Sequence, residues 1–468
     1  MSWLFSIRSY FQTRILLISA LGVLSGLPLG LLIDPLRYWL SEIGIEKSTI
    51  GLLSLVMLSY SLKMFWAPLV DRLRIPFLFK IGQRKSWLIL SQLLTFLCIL
   101  IVGFLDPSQE LNIFILFVLA LSFFSATQDI CVDAIRIELV DKKSIGEAAA
   151  VYIIGYRLGA IFLSQVITFY IADSYGWDIA YFSIGIIFII SSFILIMLLP
   201  EPHRAEKPYL SILKKPGLWF KDSFILPLTD LVSRYKQHLL LLLFLTFTYR
   251  LSDMFLGPMA MPFYQEIGFS KIEVAQITNF YGMWMTILGG LFAGLTLHRY
   301  GLVRNMIAGA IFVPLANIPF IFLNILGKDI NFLILTITID NFSQGFISVV
   351  GITFLSNLVS KTYTATQYAL LFGLVVIPPN IISSGYQMSN LIDSNPVKGS
   401  EVNIVGMTNL FQAVLDYKIN RMVFPSSQSV YGTTSKLFND QPVKEDDYCG
   451  LQHQLFTYAV MKLSLIHI

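Results

Sequence analysis

Charge is what this chain is short of. Of its 468 residues only 13% are Asp, Glu, Lys or Arg, about half the share carried by an ordinary soluble domain. Such a chain cannot keep most of its surface in water, which excludes a wholly soluble protein. Cysteine is nearly absent too. Cys98, Cys131 and Cys449 stand too far apart for a metal-ligand or disulfide spacing, so they read as small apolar side chains, and neither metal nor cofactor is expected. A removable leader is also missing: "MSWLFSIRSYFQTR" runs into a full-length apolar stretch rather than a short core with a small-residue cleavage site.

What the chain does have is long apolar runs. A membrane span needs about 20 mostly apolar residues. Such runs occur near 14–34, 49–69, 86–105, 111–135, 148–171 and 178–199, and again near 238–262, 274–297, 303–324, 330–354 and 365–386. The reading is an all-α membrane protein of about 11 spans, arranged six plus five. Between the groups, residues 201–237 hold seven Lys/Arg and several prolines, a linker suited to an anionic membrane face. With the N-terminus placed in the cytoplasm, inside segments carry twenty Lys/Arg, and the outside loops carry four: Arg37, Lys47, Lys271 and Lys328. That bias orients the chain N-terminus inside. The basic residues argue for orientation and not for nucleic acid.

An internal repeat divides the chain at the same place. "EIGIEKSTIG" (Glu42–Gly51) recurs as "EIGFSKIEVA" (Glu266–Ala275), each between the first and second spans of its half. Repeated halves joined by a linker are the build of many secondary transporters, with the substrate site at mid-membrane between them. The domain reading is therefore a bundle at 1–200, a cytoplasmic linker at 201–237 and a second bundle at 238–392. Residues 393–468 form a separate short α/β-like fragment.

Ionisable groups inside spans are expensive and need a partner or a task. Asp129 and Asp133 share a helix face, with Arg136 one turn on. Arg157 lies well inside span 5, Arg250 and Asp253 are three apart in span 7, Lys63 lies in span 2, and Asp340 lies in span 10 beside Asn341. One reading is a proton and substrate pathway, because a desolvated carboxylate beside a cation can exchange a proton between two access states. The other is a set of static ion pairs that lock helices together. For Arg157 and Arg250, binding an anionic substrate and neutralising an aspartate look identical at this level.

The ordered set "SGLPLGLL", "KMFWAPLVDR", "IGQRKSW", "DICVDAIRIELV", "AAAVYIIGYRLG", "LLPEP" and "TATQYALL" resembles the AmpG-type muropeptide permeases of the major facilitator superfamily, over residues 10–386. The resemblance implies a multi-pass transporter of the bacterial inner membrane, monomeric and not an enzyme. It implies proton-driven import of anhydro-muropeptides, sugar-peptides released by cell-wall turnover. Related permeases carry siderophores or acyl-CoA-like molecules, which leaves another solute open. In the "DR…GQRK" segment Asp71, Arg72, Arg84 and Lys85 resemble the superfamily's gating loop. There Asp71 would accept from a helix N-terminus while the three cations face the cytoplasm. Eleven residues separate Arg72 from Arg84, a wider spacing than the superfamily pattern. Tyr152, Tyr156 and Tyr249 are placed to stack on sugar faces.

The end of the chain has another character. "EVNIVGMTNLFQAVLDYKINRMVFPSSQSVYG" and "FTYAVMKL" resemble an NAD-dependent sugar epimerase/dehydratase. That resemblance maps Ser427, Tyr458 and Lys462 onto its catalytic set. No glycine-rich turn for a dinucleotide precedes residue 400, so catalysis by this fragment is not expected. The family also carries a twelfth span, whose absence here suggests a junction near residues 393–400 and impaired transport. A third possibility is an inactive remnant.

Overall fold

Long apolar helices with small residues along one side dominate the structure, a computed structural model that describes residues 10–45, 54–202, 216–249, 260 and 263–375. No strand occurs among the described residues. By contacts the chain divides into two compact units, Met1–Ile377 and Pro378–Ile468. All described residues fall in the first, and the expected α/β-like fragment lies outside them.

Eight helices among the described residues are long and apolar enough to cross a membrane. Of the eleven expected spans, 49–69, 238–262 and 365–386 are only partly described. The main helices are α1 (Thr13–Glu42), α2 (Ala67–Arg72), α3 (Gln83–Phe104), α4 (Leu111–Glu138), α5 (Ile145–Arg157), α6 (Thr168–Tyr175) and α7 (Trp177–Leu198). Within the expected 201–237 linker lies α8 (Leu226–Tyr235), and after it come α9 (His238–Tyr249), α10 (Gly282–Tyr300), α11 (Leu302–Leu326) and α12 (Ile330–Leu358). A shorter apolar helix, α13, covers Thr364–Val375. The second span is a broken series: short turns over Ser54–Phe65 lead into α2. The fifth is continuous, because a π segment, Leu158–Ile167, joins α5 to α6.

Lipid tails are as apolar as leucine, so helices in a membrane associate through close packing rather than hydrophobic transfer. The glycine spacing supplies it. A methyl group at Gly22, Gly26 or Gly30 of α1 would lie 2.4, 2.2 or 2.3 Å from the carbonyl oxygen of Tyr152, Tyr156 or Ala160. From the other side, one at Gly155 or Gly159 would lie 2.0 or 2.1 Å from the carbonyl of Ser19 or Val23. Backbone touches backbone along this seam. In the second half Gly289 and Gly345 do the same between α10 and α12, against Phe342 and Thr286.

Contacts between the early and late spans gather at one end of the bundle. This end carries the 73–82 and 139–144 connections, the linker, and the 359–363 turn. There Glu147 of α5 pairs with His298 of α10, and the Tyr10 hydroxyl donates to the Leu291 carbonyl at 3.2 Å.

Candidate functional site

Two buried polar networks stand out, one within the bundle and one at its loop end. The first is built on α4. Asp129, Asp133 and Arg136 recur at helical spacing and all face inward, 5%, 5% and 0% exposed. Lys63 enters from the broken second span and is itself 3% exposed. Its Nζ donates to Asp133 Oδ2 at 3.0 Å and lies 3.9 Å from Asp129 Oδ2. Asp133 Oδ1 also receives Arg136 Nη2 at 3.4 Å. The Ser25 hydroxyl of α1 donates to Asp129 and sits 3.3 Å from the Tyr152 hydroxyl of α5.

Two cations and two carboxylates thus balance inside the bundle. Taking charges out of water costs several kcal/mol per ion, so they persist only when paired and hydrogen-bonded.

This cluster touches both halves of the chain. Arg136 Nη1 donates to Ser356 Oγ of α12 at 3.1 Å. Its guanidinium lies 5.3 Å from the ring centre of Tyr152 and 5.2 Å from that of Tyr368 on α13. Lys63 lies 5.0 Å from the Phe372 ring centre, also on α13. A change in the charge of either aspartate is therefore felt at the boundary between early and late spans.

The second network surrounds Asp71, at the end of α2. Asp71 Oδ1 accepts Arg84 Nη2 at 2.7 Å, and Oδ2 accepts the Thr366 backbone N–H at 2.8 Å and its hydroxyl at 2.6 Å. An acceptor at the first turn of α13 satisfies donors that the helix cannot pair internally. Arg84 also grips Glu138 with Nε and Nη2, at 3.1 and 2.7 Å. Glu201, after α7, accepts the backbone N–H groups of Arg84 and Lys85 at the start of α3, at 2.8 and 3.1 Å. The linker joins in, as Arg72 pairs with Asp222 at 3.1 Å. Arg234 on α8 reaches the Leu358 carbonyl at 2.9 Å and Gln367 Oε1 at 2.9 Å.

The expected acceptor role of Asp71 towards a helix N-terminus matches this geometry. The expectation that Arg84 faces the cytoplasm does not: Arg84 is fully buried. Two carboxylates draw its fork inward, and the main chain of its own helix start is held by a third. Lys85 is half-buried and Arg72 lies against the Tyr363 ring, 5.2 Å from its centre.

Of the other expected residues, Arg157 is half-buried at the end of α5. Among the described residues the cations at ion-pair distance from Asp129 or Asp133 are Lys63 and Arg136. Tyr156 is half-buried beside Tyr152, ring centres 6.0 Å apart. Asp340 is half-buried on α12 and accepts from Gln344 at 3.0 Å. Arg250, Asp253, the Tyr249 side chain, Ser427, Tyr458 and Lys462 lie outside what the structure describes.

Sequence reasoning missed Ser25, Glu138, Ser356, Thr366, Tyr368 and Phe372. Thr366 and Tyr368 sit in "TATQYALL", where only a partner hundreds of residues away gives them meaning.

Comparisons with known proteins agree with this architecture. The family model described as Major Facilitator Superfamily matches residues 12–378. That of the NAD dependent epimerase/dehydratase family matches residues 384–468. A transporter named AmpG 4 from Rickettsia conorii is 36% identical over 360 residues, covering 76% of this chain and 85% of the relative. One named AmpG 1 from the same organism is 33% identical over 394 residues, covering 81% and 92%. Among solved structures, the transporter FucP in the outward conformation matches with a TM-score of 0.60 at 14% identity, covering 82% of this chain and 93% of its own. The proton:xylose symporter XylE matches with a TM-score of 0.58 at 13% identity, covering 88% and 96%. At these identities the structures speak for the fold alone. Helical architecture, family match and AmpG-named relatives together place the chain in the major facilitator superfamily, as an AmpG-like membrane transporter.

Proposed function

We propose that the protein is a proton-driven importer of anhydro-muropeptides in a bacterial inner membrane. The N-terminus and the loop end lie on the cytoplasmic side, and the transporting unit is a monomer. The observation that carries the reading is the buried cluster of Lys63, Asp129, Asp133 and Arg136, in contact with α12 and α13. A proton taken up by Asp129 or Asp133 leaves one carboxylate facing two cations. The cluster then carries a positive charge suited to the acidic groups of a sugar-peptide. Moving one charge through 100 mV is worth about 2.3 kcal/mol, enough to bias such a cycle. Tyr152 and Tyr156 line the same region and offer faces for sugar rings.

The AmpG names of the relatives support the substrate class. The positive-inside bias supports the orientation, and the Asp71 network supports a gating role for Asp71, Arg72, Arg84 and Lys85. The domain reading is two half-bundles, 1–200 and 238–392, joined by the 201–237 linker. The epimerase-like fragment, 393–468, contributes no catalysis.

The test is uptake of radiolabelled anhydro-muropeptide into proteoliposomes holding the full chain, with acid outside and with or without a protonophore. Uptake that collapses with the protonophore, and is lost in Asp129→Asn and Asp133→Asn, is expected. Uptake indifferent to the protonophore would overturn proton coupling. Absent muropeptide uptake with uptake of a siderophore or an acyl-CoA would overturn the substrate.

A further inference from the structure

The connection between α2 and α3 turns apolar side chains outward where a soluble loop would hide them. Phe77 is 92% exposed, Ile81 50% and Phe79 42%. Cations lie among them: Arg74 and Lys80 are exposed, and the Arg74 guanidinium lies 5.8 Å from the Phe79 ring centre. Apolar and cationic side chains interleaved at a helix end suit the boundary between headgroups and acyl chains.

Behind the loop lies a slot of about 160 Å³ between the second span, α3 and α4, walled by Trp66, Leu69, Trp87, Leu94, Phe123 and Phe124. Phe123, on its rim, is 42% exposed, so the slot opens sideways. Its walls are fixed by indole hydrogen bonds: Trp66 Nε1 donates to Thr127 Oγ1 at 3.1 Å and Trp87 Nε1 to the Leu73 carbonyl at 2.8 Å. The second bond ties the slot wall to the residue next to Arg74.

We propose that this face is a binding site for one anionic phospholipid. An acyl chain fills the slot between Trp66, Trp87 and Phe123, and the phosphate headgroup lies on Arg74 and Lys80. Cations beside an apolar slot select negative charge over a zwitterion, since each basic residue at a membrane surface favours anionic lipid by roughly fivefold. The site is independent of the solute carried.

Its walls supply the reporter. The full chain is reconstituted in phosphatidylcholine vesicles containing acyl-brominated phosphatidylglycerol or acyl-brominated phosphatidylcholine at equal fraction, and tryptophan quenching is read. Brominated phosphatidylglycerol should reach half-maximal quenching at a fraction roughly 25-fold lower than the phosphatidylcholine probe, about fivefold for each of the two cations. The preference should vanish in R74Q/K80Q, whose exposed positions leave the fold intact. The preferentially quenched component should be reduced in W66F and in W87F and missing in W66F/W87F. Equal quenching by both lipids, or a preference that survives R74Q/K80Q, would overturn the charge selection. A preferentially quenched signal retained in full in W66F/W87F would overturn the slot.

Discussion

Asp71 and Thr366 lie 295 residues apart in the chain, yet one carboxylate oxygen accepts both the backbone N–H and the hydroxyl of the threonine. This joins the end of the second span to the start of α13, an early helix to a late one. In Thr366→Val the hydroxyl bond is lost and the backbone bond kept. A hydrogen bond to a carboxylate contributes about 1.5–3 kcal/mol. The population closed at the loop end should fall by roughly tenfold or more. Spin-label distances between the 73–82 and 359–363 turns would report it, and an unchanged distance distribution would remove Thr366 from the latch.

Arg84 is held by two buried carboxylates, so its loss leaves Asp71 and Glu138 without their cation. Arg84→Gln should cost about 3–5 kcal/mol of stability, the usual consequence of breaking a buried pair by removing one partner. Arg84→Lys keeps the charge but cannot present a fork to Glu138, and should fall between. Thermal unfolding in detergent ranks the three proteins; a lysine variant equal to wild type would show that charge alone suffices.

Lys63 separates two aspartates that would otherwise share one pocket. Lys63→Gln leaves Asp129 and Asp133 with Arg136 alone, so the cluster is one cation short. Solute uptake should lose its response to a pH gradient while the protein still folds. The double change Lys63→Gln with Asp133→Asn restores neutrality and should recover stability without recovering coupling. Equal gradient-driven uptake by wild type and Lys63→Gln would take the lysine out of the pathway.

The glycine seam makes a sharper structural prediction. Gly155→Ala places a methyl carbon 2.0 Å from the Ser19 carbonyl oxygen, and neither helix backbone can yield locally. Expression of folded protein should collapse. Gly351→Ala on α12 meets nothing within 4 Å and should be neutral or stabilising by about 0.5–1 kcal/mol. Size-exclusion profiles decide it: similar behaviour of the two variants would mean that α1 and α5 pack less closely than the distances say.

Glu273 lies ahead of the α10 span, where the Ser270 N–H and the Lys328 ammonium hold its carboxyl below the usual glutamate range. Such a group adds stability above its unfolded pKa and loses it as pH falls through the folded one. Lys328 Nζ is 3.1 Å from its carboxylate. Wild type should therefore lose its small margin over Glu273→Gln on acidification below the glutamate range. Melting curves that stay equally spaced at all pH values would assign no role to the pair.

Several features were legible without coordinates because each depends on local composition. Low charge and apolar run length give membrane helices, and the i, i+4 spacing puts Asp129 and Asp133 on one face. Lys63 was visible as an anomaly, a cation in an apolar run. The cations' pairing was less legible. Arg157 and Arg136 are both inward-leaning arginines near the aspartates in sequence terms, and only the packing of α4 against the second span makes Lys63 and Arg136 the partners.

By itself, then, the sequence determined a multi-span helical transporter with charges buried on the fourth span. Hydropathy and residue spacing are properties of single segments. Tertiary structure alone decided that Arg84 turns inward to Asp71 and Glu138, that Thr366 closes onto Asp71, and that Arg136 lies between Tyr152 and Tyr368. Each of these is a contact between segments distant in the chain, and its energy depends on ångström-scale geometry and shared burial. No local pattern encodes either quantity.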